Sequence, residues 1–220
     1  MQTVLITGAN RGIGLALCKA YLAQQWQVIA VCRTATPELT GTGARVIAGV
    51  DVTDPAALNR LADTLTGKKL DLLINNAGIL QREALGNLDY NSIEQQFKVN
   101  AIAPVRVTEA LLGNLQYGSK VAFITSRMGS IADNSSGSYY GYRMSKAALN
   151  AAAMSLTRDL HPKGIAVAIL HPGYVQTAMV NFGGDISADE SAQRLSQRIE
   201  QLNLDNTGTF WHSNGEILPW

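Results

Sequence analysis

The stretch Tyr142-Arg143-Met144-Ser145-Lys146 opens an alanine-rich run that continues to Leu160. If the run is helical, Tyr142 and Lys146 stand four residues apart on one face, one turn above the other. A tyrosine phenol with a pKa of ~10 is a poor acid or base at neutral pH. An ammonium within a few ångströms favours the phenolate and lowers that value. Such a pair can trade a proton with an alcohol or a ketone. Taken alone, the spacing reads more simply as a surface tyrosine beside a solvated lysine, and only the rest of the chain can reverse that.

The elements that must position the pair are legible from patterning. Val4-Leu5-Ile6-Thr7 is an apolar run without alternation, as expected of a parallel strand covered on both faces. It leads into Gly8-Ala9-Asn10-Arg11-Gly12-Ile13-Gly14, and a helical pattern follows. Glycines let the backbone pass close to a pyrophosphate, and the helix start offers unpaired N–H groups. Val28 to Cys32 reads as a second strand, ending in Arg33. An acid near that strand end would hold a ribose 2′-hydroxyl, whereas arginine accommodates a 2′-phosphate. With no acid there, Arg11 and Arg33 favour NADP over NAD.

Arg45 to Val50 is a third strand, followed by Asp51-Val52 and a helix capped by Asp54 and Pro55, running to about Thr66. Leu70 to Ile74 is the fourth strand and delivers Asn75-Asn76-Ala77-Gly78, whose small residues leave room for a flat ligand. Helices are expected over Ser92 to Asn100 and Pro104 to about Leu115, with Asn100 at the junction as a cap or kink filler. Lys120 to Thr125 is the fifth strand, ending in Ser126; a Gly/Ser/Asn-rich loop from Arg127 to Ser138 then leads to the helix of Tyr142. Ile165 to Leu170 is the sixth strand, ending at Pro172-Gly173, with a loop through Val175 to Thr177. Ser187 and Glu190 form a capping box for a last helix, and Gly208 to Trp211 is a short seventh strand. Alternation of strands and helices predicts an α/β fold: a doubly wound parallel sheet of about seven strands with helices on both faces, in one domain over residues 1–220. Ligands in such sheets bind at the carboxyl ends of the strands. The unusual residues all fall there.

Composition removes several alternatives. A formal net charge of +1 provides no basic field for nucleic acid. No apolar stretch approaches the ~20 residues that span a bilayer, and a strand pattern from Thr3 leaves no room for a signal peptide. Cys18 and Cys32 lack metal-like spacing and read as buried, reduced thiols of a cytoplasmic protein. His161, His171 and His212 are dispersed, so no metal site is expected. No Gly-x-Ser-x-Gly elbow supports serine hydrolysis, and no Walker lysine follows the first glycine turn.

Thr7-Gly8-x-x-x-Gly12-x-Gly14, Asn75-Asn76-Ala77-Gly78, Asn100, Ser126, Tyr142-x-x-x-Lys146 and Pro172-Gly173 occur in one order over nearly the whole chain. In this the sequence resembles the short-chain dehydrogenases/reductases of compact single-domain type. The segments Ser126–Asp133 and Tyr139–Lys146, with Leu218-Pro219-Trp220, further resemble the C-factor-like and carbonyl-reductase-like branch. The resemblance implies a Rossmann-type three-layer α/β/α fold and NADPH-dependent reduction of a carbonyl. It implies Tyr142 as proton donor, Lys146 lowering its pKa, Ser126 holding the substrate oxygen and Asn100 holding a water of a proton relay. Of three neighbouring tyrosines, only Tyr142 has a lysine four residues on. It also implies cofactor contacts from Gly8, Asn10, Arg11, Gly12, Ile13, Gly14, Arg33, Asp51, Val52, Asn76, Ala77, Gly78, Pro172, Gly173, Val175 and Thr177, beside Tyr142 and Lys146. Homodimers or homotetramers are common in the family, and Ala147, Ala148, Ala151 and Ala152 would suit close helix packing. The Ser126–Tyr142 separation is longer than usual and the segment after Thr177 is short, which implies a reshaped rim and an open pocket. The rival reading is an NADP-binding signalling or regulatory protein of C-factor-like type with little turnover.

Overall fold

The computed structural model describes residues 1–220. In chain order the elements are β1 (Thr3–Thr7), α1 (Gly12–Ala23), β2 (Gln27–Val31), α2 (Pro37–Thr40), β3 (Arg45–Ile47), α3 (Pro55–Thr64) and β4 (Leu70–Asn75). Then come α4 (Tyr90–Phe97), α5 (Ala103–Ala110), β5 (Leu115–Ile124), α6 (Tyr140–Leu160), β6 (Ala166–His171), α7 (Ala188–Glu200) and β7 (Phe210–His212). The seven strands form one parallel sheet in the order β3-β2-β1-β4-β5-β6-β7.

Alternate side chains of each strand enter opposite layers. Val4 and Ile6 pack with Leu17 and Cys18 of α1 and Leu195 and Ile199 of α7. Leu5 and Leu73 pack with Leu58 and Leu61 of α3, Val107 of α5 and Leu149 and Ala153 of α6. A helix layer therefore covers each face, giving the three-layer α/β/α Rossmann-type arrangement expected from the sequence. The order reverses direction about β1 and β4, so a crevice opens between their carboxyl ends.

Helix starts follow the caps legible in the sequence. The Asp54 carboxylate accepts the Ala56 amide at 2.9 Å, and the Ser187 hydroxyl accepts the Glu190 amide at 3.1 Å. The short helix α2, capped by Thr36 with Pro37 at its first turn, is not in the sequence reading although both signals are present. β3 stops at Ile47, short of the expected Val50, because the backbone turns at Gly49 with φ +76°. β5 begins at Leu115, where Leu70 pairs with it, five residues before the expected start.

The largest difference lies around Asn100. The two helices expected there are one continuous helical segment, with a π-helical turn at Lys98–Ile102 between α4 and α5. Pro104 has no N–H to give the Asn100 carbonyl four residues back, and a wider turn accommodates the missing bond. α6 starts at Tyr140, two residues before the expected Tyr142.

Candidate active site

The floor of the crevice is a set of ties between β1 and β4. Thr7 Oγ1 accepts the amides of Asn76 at 3.1 Å and Ala77 at 3.2 Å. Asn76 Nδ2 donates to the carbonyls of Thr7 and Gly8 at 3.0 and 3.2 Å. The glycine turn is pressed onto this floor. A Cβ on Gly14 would lie 2.3 Å from the Gly8 carbonyl oxygen, and one on Gly8 would lie 2.8 Å from Ala77 Cα. No side chain fits at either position. The turn thus leaves backbone N–H groups at the α1 start facing the crevice, an arrangement suited to a pyrophosphate.

Above the floor lies a cavity of about 770 Å³. Gly8, Asn10, Arg11, Ile13, Gly14, Arg33, Asp51, Val52, Asn76, Ala77, Gly78, Tyr142, Lys146, Pro172 and Thr177 of the expected set line it. A cavity lined at once by Arg33, the glycine cradle and Tyr142 suits a dinucleotide. Asp51 Oδ1 accepts both the amide and the hydroxyl of Thr53, at 2.8 and 2.7 Å. Those bonds, with the Arg33 guanidinium nearby, hold its carboxyl below the usual carboxylate range.

Gly12, Gly173 and Val175 do not line the cavity. Gly12 turns at φ +53° and packs toward Thr177. Gly173 backs onto Ile186, and Val175 is buried and bridged to Ile186, so both secure the base of the segment after β6. That segment carries left-handed Asn181 and Phe182; both Met179 and Phe182 are exposed, and Met179 lines the cavity. Ile79, Gln95, Val99, Thr125 and Met179 line the cavity without having been expected there. No local signal marks them, since their side chains are ordinary core or surface types until the fold turns them inward.

Tyr142 and Lys146 come together as the helical spacing predicts, with Lys146 Nζ 5.7 Å from the Tyr142 ring centroid. Both are buried. Lys146 Nζ donates to the Ile124 carbonyl at 2.9 Å, which anchors it to the end of β5. Burial pushes the Tyr142 phenol up to about 12, with the Ser126 hydroxyl acting in the opposite direction. Burial also pulls the Lys146 ammonium down to about 8. Desolvation of the phenolate is the largest influence on the group, so Tyr142 holds its proton at neutral pH.

Ser126 Oγ accepts the Met128 amide at 3.1 Å, capping the 3-10 turn Arg127–Gly129 and leaving the hydroxyl hydrogen to donate elsewhere. The turn is held against α6 at Gly129, where a Cβ would lie 2.7 Å from the Lys146 carbonyl carbon. Asn100 is fully buried behind the cavity wall. Its Nδ2 donates to the Ile79 carbonyl at 2.8 Å and Ser145 Oγ at 3.0 Å, and its Oδ1 accepts the Ile79 amide at 2.9 Å. The side chain that was expected to hold a water is thus largely committed to the protein. A Cβ on Gly78 would lie 3.3 Å from Asn100 Oδ1 and 3.7 Å from Lys146 Nζ, so the two polar groups flank that glycine.

Among known proteins, residues 2–200 match the profile described as short chain dehydrogenase. The chain is 38% identical over 226 residues to the 1-hydroxy-2-glutathionyl-2-methyl-3-butene dehydrogenase of Rhodococcus sp. strain AD45, covering all of both chains. It is 44% identical over 154 residues to the C-signal of Myxococcus xanthus, covering 69% of this chain and 93% of that protein. The NADPH-bound carbonyl reductase from chicken fatty liver superposes with a TM-score of 0.91 at 30% identity, covering 100% of this chain and 99% of that one. The profile match extends from the β1 strand through α7, taking in the glycine cradle and the Tyr142–Lys146 helix, and the chain belongs to the short-chain dehydrogenase/reductase family.

Proposed function

We propose that the chain is an NADPH-dependent reductase of an aldehyde or ketone, running in reverse as an alcohol dehydrogenase. One observation carries the reading: Tyr142 and Lys146 line the same cavity as the glycine turn, Arg11 and Arg33. A proton donor and a dinucleotide cradle then share one space. The nicotinamide would supply the hydride; the chain binds, orients and manages the proton. Arg11 and Arg33 would hold a 2′-phosphate, Asp51 and Val52 border the adenine, and Thr177 meets the nicotinamide amide. The free hydrogen of Ser126 is donated to the substrate oxygen, as in an oxyanion hole. Tyr142, protonated at neutral pH, gives its proton to that oxygen as negative charge develops. The Lys146 ammonium faces the ring and stabilises the phenolate as it forms. A water held in the gap beside Gly78, between Asn100 and Lys146, would return the proton.

Support for a permissive or bulky substrate comes from the short segment after Thr177 and from Met179, exposed on the cavity lining. Cys18 and Cys32 are buried and unpaired, which suits reduced thiols in the cytoplasm. The test is turnover of NADPH and NADH with a carbonyl panel that includes a glutathione-bearing compound, after the name of the Rhodococcus relative. Tyr142→Phe should lose about 100-fold or more in kcat and still bind NADPH; retained turnover removes Tyr142 from the mechanism. Arg33→Ala should raise KM for NADPH about tenfold and leave KM for NADH unchanged. An NADH preference in the parent would overturn the cofactor assignment.

A second reading, favoured by the identity to C-signal, is an NADP-binding signalling or regulatory protein. It wins if cofactor binds, no substrate turns over and Tyr142→Phe keeps the cellular effect.

A further inference from the structure

Glu83 is a carboxylate only 3% exposed that takes part in none of the chain's ion pairs. Burying a charge without a cation is costly unless hydrogen bonds compensate. Here three do. Oε1 accepts Ser92 Oγ at 2.9 Å and Gln96 Nε2 at 2.5 Å, and Oε2 accepts the Gly141 amide at 3.2 Å. Gln96 is fixed in turn, its Oε1 accepting the Gln81 amide at 3.0 Å. Gly141 lies in the first turn of α6, one residue before Tyr142.

That helix lacks a local cap. Tyr139, at its N-cap position, makes no side-chain capping bond and is left-handed, as are Gly137 and Ser138 before it. Left-handed backbone is strained for a non-glycine residue, so this approach to the helix needs holding. Glu83 holds it twice: its carbonyl accepts the Tyr139 amide at 2.8 Å, and its carboxylate accepts Gly141. A negative charge is also favoured at a helix start. A Cβ on Gly141 would lie 2.5 Å from Gln96 Nε2, so the helix end is seated directly on this network.

We propose that Glu83, braced by Ser92 and Gln96, is a positioning residue that serves as the remote N-cap of α6 and sets the Tyr142 phenol against Ser126 and Lys146. The proposal rests on Tyr142 as proton donor. A displacement of about 1 Å at such a group can cost about 100-fold in rate. Glu83 does not line the cofactor cavity, so its loss acts on kcat and not on cofactor binding.

The experiment compares Glu83→Gln, the exchanged pair Glu83→Gln with Gln96→Glu, and Gly141→Ala in the full chain. Readouts are kcat, NADPH affinity, and amide exchange over residues 139–145 with NADPH present. Glu83→Gln sets an amide where only acceptors fit. It should lower kcat about tenfold or more and speed exchange about tenfold, with NADPH affinity unchanged. The exchanged pair moves the charge to position 96 and keeps each polar contact, with donor and acceptor reversed between positions 83 and 96 and at the Ser92 hydroxyl, so it should restore both readouts. Wild-type kcat and exchange in Glu83→Gln overturn the proposal, as does an exchanged pair that restores neither. If Glu83→Gln does not fold, Gly141→Ala decides, because it keeps every charge and displaces only the contact; wild-type kcat and exchange there overturn it. Tyr142→Phe is assayed alongside. Full turnover in that variant removes the proton donor, whereas the exchange readout still judges the cap.

Discussion

Burial moves Tyr142 and Lys146 toward their uncharged forms, and the two shifts have different uses. In the proposed reaction the phenol keeps its proton until a substrate oxygen demands it. The lysine, at about 8 instead of the usual 10.5, binds fewer protons in the folded chain than in the unfolded chain between those values. Stability therefore rises with pH across that window, and the full cost of the buried ammonium is present below pH 8. Lys146→Met should remove this slope. Urea unfolding at pH 7.5 and 9.5 should show the parent gaining about 2 kcal/mol more than the variant. Equal pH responses would mean that the ammonium is not desolvated. At this scale the sequence names the residues but not their environment. Tyr142 is singled out among three tyrosines by spacing alone, whereas the dominance of burial at its phenol depends on β5, α6 and the Ser126 turn closing around it.

At the scale of elements, the strand–turn–helix at the front of the chain is fixed by contacts that admit no side chain. Gly14→Ala puts a Cβ against the Gly8 carbonyl at 2.3 Å and Asn76 Nδ2 at 2.6 Å, so β1, α1 and β4 must part. It should cost about 1–3 kcal/mol and weaken NADPH binding, seen as a lower Tm and a higher Kd. Gly113→Ala is the control, since a Cβ there meets nothing within 4 Å. A Gly14→Ala protein as stable as that control would refute the packing argument. Glycine spacing, apolar runs and caps made these elements legible. The π-helical turn was not, because Asn100 and Pro104 read as a break between two helices. Only the bonds from Asn100 to Ile79 and Ser145 show a continuous segment that widens to seat a buried side chain.

Over the whole molecule, the outer face of α6 shows what the sequence left open about its alanines. Ala153 is buried against the sheet, but Met144 and Ala151 are exposed and Ala148 half-buried along one stripe. We propose that this stripe, with α5 beside it, packs against a second copy in a homodimer or homotetramer. Light scattering should give twice or four times the chain mass, and Ala151→Arg should return it to one; a monomeric parent would sink the proposal. By itself the sequence determined the layer architecture, and it marked the strand ends and the Tyr142–Lys146 pair as the candidate site. Those follow from period, glycine placement and four-residue spacing, which are local rules. The tertiary structure alone decided which residues line the cavity, how burial sets the charge states of Tyr142 and Lys146, and that Glu83 caps a helix 58 residues away. Desolvation and long-range hydrogen bonds depend on what the fold brings together, and no local pattern encodes them.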